Sequence, residues 1–389
     1  MTFFATPEPR TEPKAEPLER TLPSQSRATY MAASARDTKT DRTKILAAHG
    51  TVPRSTSMLA LGPLAFEILV QSDSPATRMK EFVNAPFAEL DGELLWIGAQ
   101  AHGWHPRSVI VAPDLAQPHN LPAFLLHLNN IAQRQVWLEA TPPWCTLAEA
   151  NVLTRMAGLA QSTLHMVVAH ADPAVRLAHL LEQLAVQGDK PRGLGLLLPL
   201  LHPRAELSAE LSAGQFARAL PPPLDLARPR LAAFFSTAAL DDPVALEPHA
   251  TALLGIGAGL TPSCDDFLGG YLLAKLLLDE ARWRGLADAL AAVAPIRTHR
   301  ISATLLADTL RGETYGVLAD FAQAWLAPAP ENGSSTLRNC AHALVEIGHS
   351  SGWDMLTGFV LGSTRSTRST NNTNSNGGAT FYDRLQHLA

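Results

Sequence analysis

Cysteine is scarce in this chain. Cys145, Cys264 and Cys340 are the three among 389 residues, and none has the paired spacing of a disulfide framework or a zinc site. That usage fits a reducing cytoplasm. Long apolar runs are missing too: residues 194–201, one of the longest, are broken by Pro199 and fall far short of the roughly 20 residues that span a bilayer. No membrane partner is expected. Basic charge is not in excess, since 31 Lys and Arg face 36 Asp and Glu, and a formal net charge of -5 gives no support for nucleic-acid binding. The first residues, MTFFATPEPRTEPK, lack an uninterrupted apolar stretch and carry acids and prolines early, unlike a secretory signal.

Several catalytic signatures are absent as well. No G-x-x-x-x-G-K-[ST] occurs, and no lysine follows the glycine-rich loop at 255–259 to reach phosphates. A dinucleotide-binding G-x-G-x-x-G fails because the segment before Gly255, VALEPHATALL, reads as helix where a buried strand is required. Ser263 follows Pro262 and precedes Cys264 and Asp265, so the G-x-S-x-G elbow of a serine hydrolase is missing. No cofactor is expected.

What is present bounds the fold. With 46% hydrophobic and 17% charged residues the chain can bury a sizeable core, in two domains. Residues 1–57, rich in Pro, Thr, Ser and charge, read as a disordered leader, and the polar low-complexity stretch 363–389 reads as a tail. Residues 64–113 favour strands: FEILVQ, then FAELDGELLWIGAQ with a hairpin signal at Asp91-Gly92, then SVIVAP. This predicts a β-rich module over 58–120. Helical spacing then dominates 121–362, with a short strand at 135–138 and helices at 147–170, 173–187, 212–218, 226–238 and 243–254. Residues 193–201 read as a connector. Further helices are expected at 264–281, 284–294, 299–311, 314–326, 334–346 and 350–362. The fold class expected is α+β.

The chain is organised around residues 255–274, GIGAGLTPSCDDFLGGYLLA. Gly255, Gly257 and Gly259 permit positive φ and close approach of N–H groups. Ser263 reads as an N-cap, with Asp266 three positions on in the first turn of an apolar helix. A loop aimed at a helix N-terminus, with free N–H donors, suits a small polar or anionic ligand. The pattern recurs at 348–362, GHSSGWDMLTGFVLG: Ser263, Asp266, Leu268, Gly270 and Leu273 align without a gap onto Ser351, Asp354, Leu356, Gly358 and Leu361. Glycine inside a helix costs roughly 1 kcal/mol against Ala, so its recurrence at one offset predicts close packing of the two helices. The two corners are then expected to face one pocket, Asp265 and Asp266 from one side and His349, Ser350 and Asp354 from the other.

At these residues the sequence resembles the oxamate carbamoyltransferase AllH-type subunit family, whose signature approximates G-x-G-L-T-P-S-G-D-D. Gly257, Gly259, Leu260, Thr261, Pro262, Ser263, Asp265 and Asp266 match it, and a looser likeness extends over 60–362. The family usually has Gly where Cys264 stands, so a ligand lying against that position would be crowded. The resemblance implies a β-rich N-terminal part and carbamoyl transfer between oxalurate and phosphate, giving oxamate and carbamoyl phosphate in allantoin breakdown. It also implies FdrA-type and further carbamoyltransferase subunits as partners, and a small anionic substrate: oxalurate or oxamate, phosphate or carbamoyl phosphate.

In this reading Asp265, Asp266 and His349 are the catalytic candidates, His349 as general base or proton donor. Gly257, Gly259, Thr261, Ser263, Ser302, Ser350, Ser351 and Asp354 are the binding candidates, Ser302 carried over from a segment, THRISATLLADTLRG, that also resembles the family. The blander readings are equally concrete. Ser263 and Ser351 are then helix caps worth about 1 kcal/mol each, His349 is structural, and Arg300 and Arg311 are solvated charges. A divalent ion at Asp265 and Asp266 would want a spaced series of oxygen ligands that the sequence does not show, so no metal is expected. A non-catalytic anion-binding subunit and an amide or ureido hydrolase are the alternative functions.

Overall fold

Asp91 and Gly92 both take positive φ, 51° and 88°, the geometry of a two-residue type I′ turn that matches the twist of the flanking strands. They join β3 (Phe87–Leu90) to β4 (Glu93–Ala99) in antiparallel register, with Leu90 opposite Glu93 and Phe87 opposite Trp96. The computed structural model describes residues 58–71, 79–81, 87–99, 104–111, 153, 173–201, 220–327 and 335–364. The leader at 1–57, the strand at 135–138, the helix at 212–218, almost all of the helix at 147–170 and the tail beyond Thr364 lie outside them.

The hairpin belongs to a mixed five-stranded sheet completed by β1 (Met58–Leu61), β2 (Met79–Glu81) and β5 (Ser108–Val111), in the order β1-β5-β4-β3-β2. The β4–β5 pair is parallel and the others antiparallel. One expectation fails here. FEILVQ, read as a strand, lies in helix α1 (Pro63–Gln71). Pro63 sits at the first helical position, where its missing N–H costs nothing, and Ala65 and Leu69, four apart, are the side chains with no exposure. Helical spacing of burial overrides the strand propensity of Ile68 and Val70.

The remaining described residues are mostly helical: α2 (Pro173–Gln187), 3₁₀ segments at Gly193–Leu201 and Leu224–Ala227, α3 (Arg228–Ala238), α4 (Pro243–Leu253), α5 (Ser263–Arg297), α6 (Arg300–Leu310), α7 (Gly316–Leu326), α8 (Ser335–Val345) and α9 (Ser351–Ser363). The connector expected at 193–201 is thus a 3₁₀ run whose Leu194, Leu197 and Leu198 are buried. Two helices were expected between 264 and 294. They form one run, interrupted at Asp279, whose φ of -158° and ψ of 79° are not helical.

α5 and α9 are the spine of the core. Phe267 to Leu277 of α5 and Gly352 to Ser363 of α9 are buried without a break, so these stretches are enclosed on every side rather than amphipathic. They run in the same direction with backbones in contact. A Cβ on Gly358 would stand 2.0 Å from the Phe267 carbonyl oxygen, one on Gly270 2.2 Å from that of Met355, and one on Gly362 2.3 Å from that of Tyr271. The recurrent glycines therefore do what their spacing predicted. Phe234, Phe235, Phe267 and Tyr271 close one side of this spine as an edge-to-face aromatic cluster.

The sheet meets the helices through Leu94, which packs with Ile301 and Leu305 of α6. Beside them Arg107, 6% exposed, forms a bidentate pair with the fully buried Asp308 and also donates to Glu93 Oε2 at 3.0 Å.

Candidate functional site

Building the site starts with the loop. Gly255, Gly257 and Gly259 take φ of 81°, 137° and 89°. At Gly257 a side chain is excluded twice over, because a Cβ would also lie 2.2 Å from the Ser263 nitrogen. The loop folds back on the helix it precedes: Cys264 N–H donates to the Ile256 carbonyl at 3.0 Å, and the N–H groups of Asp265 and Asp266 both donate to the Pro262 carbonyl. Of the N–H donors expected here, those of Cys264, Asp265 and Asp266 at the helix start are taken up in this way.

Because α5 and α9 run in parallel, their first turns lie side by side. Thr261 Oγ1 is 3.1 Å from Ser351 Oγ, and Ser263 Oγ is 3.4 Å from Ser350 Oγ. The two corners thus meet. The capping role expected of the serines is not what they do: Pro262 and Ser350 hold the N-cap positions, neither helix has a side-chain cap, and Ser263 and Ser351 are the first helical residues. Their hydroxyls point across the seam between the helices.

The three acids divide into one structural hub and one facing pair. Asp265, 2% exposed, accepts from Gly255 N–H at 2.7 Å through Oδ1, and from the Ser302 hydroxyl at 2.6 Å and the Thr298 hydroxyl through Oδ2. It ties the glycine loop to the start of α6. Burial raises its pKa, while the three donors oppose the rise. Asp266 and Asp354 turn toward each other's corner. Asp354 Oδ1 accepts from Leu194 N–H at 2.6 Å, and its Oδ2 and the Oδ2 of Asp266 are buried without a hydrogen-bond partner. Desolvation pushes Asp354 up to about 7. It pushes Asp266 well above the ordinary carboxyl range, with the Asp354 charge adding to the effect. The hydroxyls of Thr261 and Ser351 beside Asp266, and of Ser263 and Ser350 beside Asp354, act the other way by proximity, yet none satisfies either Oδ2. Each is therefore protonated more readily than an ordinary carboxyl, Asp266 the more so because of the Asp354 charge.

The other candidates are placed less centrally. His349 is exposed; what the second corner uses is its carbonyl oxygen, which accepts from Arg192 at 3.3 Å. Ser302 is occupied with Asp265. Arg300 and Arg311 are engaged in ion pairs, Arg300 with Glu89 at 2.5 Å and Arg311 with Asp308. Cys264 is fully buried in the apolar core. Burial, then the charges of Asp354 and Asp265, push its thiol pKa well up. Asp265 and Asp266 have different neighbours, Thr298 and Ser302 beside the first and Thr261 and Ser351 beside the second.

Three participants had no sequence signal. Leu194 N–H reaches Asp354 across 160 positions. Gly193, with φ of 54°, passes so close that a Cβ would lie 2.3 Å from Asp354 Oδ1. Tyr315 lies near enough to Asp266 that the charge there, after burial, raises its pKa, and its ring meets His105 edge-on at 5.1 Å. His105 is 2% exposed, its Nδ1 accepts from Arg107 N–H, and burial lowers its pKa to about 4.

No described helix is long and apolar enough to cross a membrane. Comparison with known proteins found no match among curated proteins and none among solved structures. Residues 253–363, a narrower span than the 60–362 expected, begin at the glycine loop, end with α9, and match the family model of the oxamate carbamoyltransferase subunit AllH.

Proposed function

We propose that this chain is a subunit of a carbamoyltransferase, moving a carbamoyl group between oxalurate, or another ureido compound, and phosphate. The observation that carries the reading is the pair of buried, unpartnered oxygens, Asp266 Oδ2 and Asp354 Oδ2, at adjoining helix starts inside the family-matched segment. A buried acceptor left unsatisfied costs about 1–3 kcal/mol, so the site favours a ligand rich in N–H donors. A ureido group has them. A bare anion does not, and would meet two carboxyls.

The chemistry also needs a proton moved. Phosphate attacks the carbamoyl carbon, the bond from that carbon to the oxamate nitrogen breaks, and the proton lost by hydrogen phosphate ends on that nitrogen. A carboxyl with a pKa of about 7 is suited to accept the first proton and a protonated partner to supply the second. Asp266 and Asp354 take these two roles, with Thr261, Ser263, Ser350 and Ser351 orienting the substrate and Asp265 holding the loop. Arg192 supplies positive charge at the second corner, and FdrA-type and further subunits complete the assembly.

The test is carbamoyl phosphate formation from oxalurate and phosphate, with the chain alone and with candidate partner subunits. Product in either case that is lost in Asp266→Asn supports the reading. Product only in the mixture, unchanged by Asp266→Asn and Asp354→Asn, assigns a non-catalytic role. Oxamate release that does not depend on phosphate assigns a hydrolase.

A further inference from the structure

A second polar cluster lies on the other side of α9's approach loop, at the ends of α2 and α8. Asp189 follows α2 in a Schellman turn: Gly188 takes φ of 89° and donates to the Ala185 carbonyl at 3.0 Å, and Asp189 N–H donates to that of Leu184 at 3.1 Å. This fixes the backbone of Asp189 rather than leaving it on a loose loop. Opposite stand His342, in the last turn of α8, and Glu346, one turn further on, whose N–H donates to the His342 carbonyl. The i,i+4 spacing puts both side chains on one helix face.

Ligand atoms of Asp189, His342 and Glu346 all lie within 4.8 Å of one another, and His342 Nδ1 is 2.8 Å from Asp189 Oδ2. Two carboxylates brought this close repel unless a cation stands between them. Among the described residues, no Lys or Arg forms an ion pair with either one; the salt-bridge partner of Asp189 is His342. Asp189 and Glu346 also line a cleft of about 230 Å³, which Lys190, Arg192, Gly348 and Trp353 border.

We infer that Asp189, His342 and Glu346 form a binding site for a divalent transition-metal ion of the zinc class. One imidazole nitrogen and two carboxylate oxygens suit such an ion better than Mg²⁺ or Ca²⁺, which favour all-oxygen shells. Ligand distances of about 2.0–2.2 Å to the ion require the cluster to tighten. Glu346, exposed and beyond the end of α8, is free to make that move. The site uses none of the residues of the two-helix corner, and it stands or falls independently of the carbamoyl-transfer reading.

Titrating chelator-treated full-length protein with Co²⁺, followed by visible absorption and calorimetry, tests the assignment. The result expected is a binding event that His342→Ala and Glu346→Gln each weaken at least tenfold, while His179→Ala, an exposed histidine on α2, leaves it unchanged. Circular dichroism of the two site variants reports folding; should His342→Ala fail to fold, Glu346→Gln decides alone. No Co²⁺ binding by the wild type, or binding that both folded site variants retain at full affinity, overturns the assignment.

Discussion

Replacing Asp354 by Asn tests whether the facing carboxyls are held neutral by burial. Asp354 has no exposure, and its pKa stands at about 7 in the folded chain against an ordinary 3.8. A folded-state pKa above the unfolded one means that the native state keeps its proton while the unfolded chain loses it. Stability is therefore highest below the unfolded value, falls as pH rises from about 4 to about 7, and levels off above. At about 1.4 kcal/mol per pKa unit the whole effect is about 4 kcal/mol, of which about 2.5 kcal/mol falls between pH 5 and pH 8. Asn preserves the shape and can still accept from Leu194 N–H, but it does not titrate.

Urea unfolding at pH 5 and pH 8, compared at equal m-values, should show the wild type losing about 2.5 kcal/mol more than Asp354→Asn over that interval. Asp265 and Asp266, also raised by burial, contribute a slope of the same sign in both proteins. Removing the charge at 354 eases ionisation of Asp266, which flattens the variant further. Parallel pH dependences in the two proteins would show that Asp354 ionises freely in the fold, and the argument from burial would then be wrong.

Three further outcomes follow from the packing. Helix propensity alone makes Gly→Ala worth a gain of about 1 kcal/mol; Gly285→Ala on α5, where nothing lies within 4 Å of the added Cβ, should show it, whereas Gly358→Ala, 2.0 Å from the Phe267 carbonyl oxygen, should lose roughly 1–3 kcal/mol in the same denaturation assay. Arg107→Ala takes from the fully buried Asp308 one of its two arginine partners, leaving the more exposed Arg311, and should cost about 1–3 kcal/mol at neutral pH by chemical denaturation. Cys264, with no exposure and a raised pKa, should stay unmodified when native protein is treated with iodoacetamide, while the half-buried Cys340 reacts first; mass spectrometry of the digested protein reads both.

Much of the helical part was legible because its signals are local. The 3.6-residue spacing located α2 and α4 to within a residue, and the Asp91-Gly92 pair fixed the hairpin. The recurrent glycines announced the α5–α9 contact, since a costly residue at one offset in two helices implies close approach. α1 was misread because Phe66, Ile68 and Val70 favour strand, and only packing against β5 and the turn before it, where Ala65 N–H donates to the Pro106 carbonyl, settled the competition. The serines were misread as caps because an N-cap and a first helical residue differ by one position, a difference that sequence pattern does not resolve.

The sequence by itself determined that two matching corners exist and that their helices touch, because backbone conformation and glycine cost are properties of a few consecutive residues. Which acid does what was decided in three dimensions. Asp265 and Asp266 are neighbours of one chemical type, but a helix rotates successive residues by about 100°, sending one to Thr298 and Ser302 and the other to the seam with Asp354. Asp265 depends on Ser302, 37 positions away, and Asp354 on Leu194, 160 positions away, and such partners leave no trace in the local order of the chain.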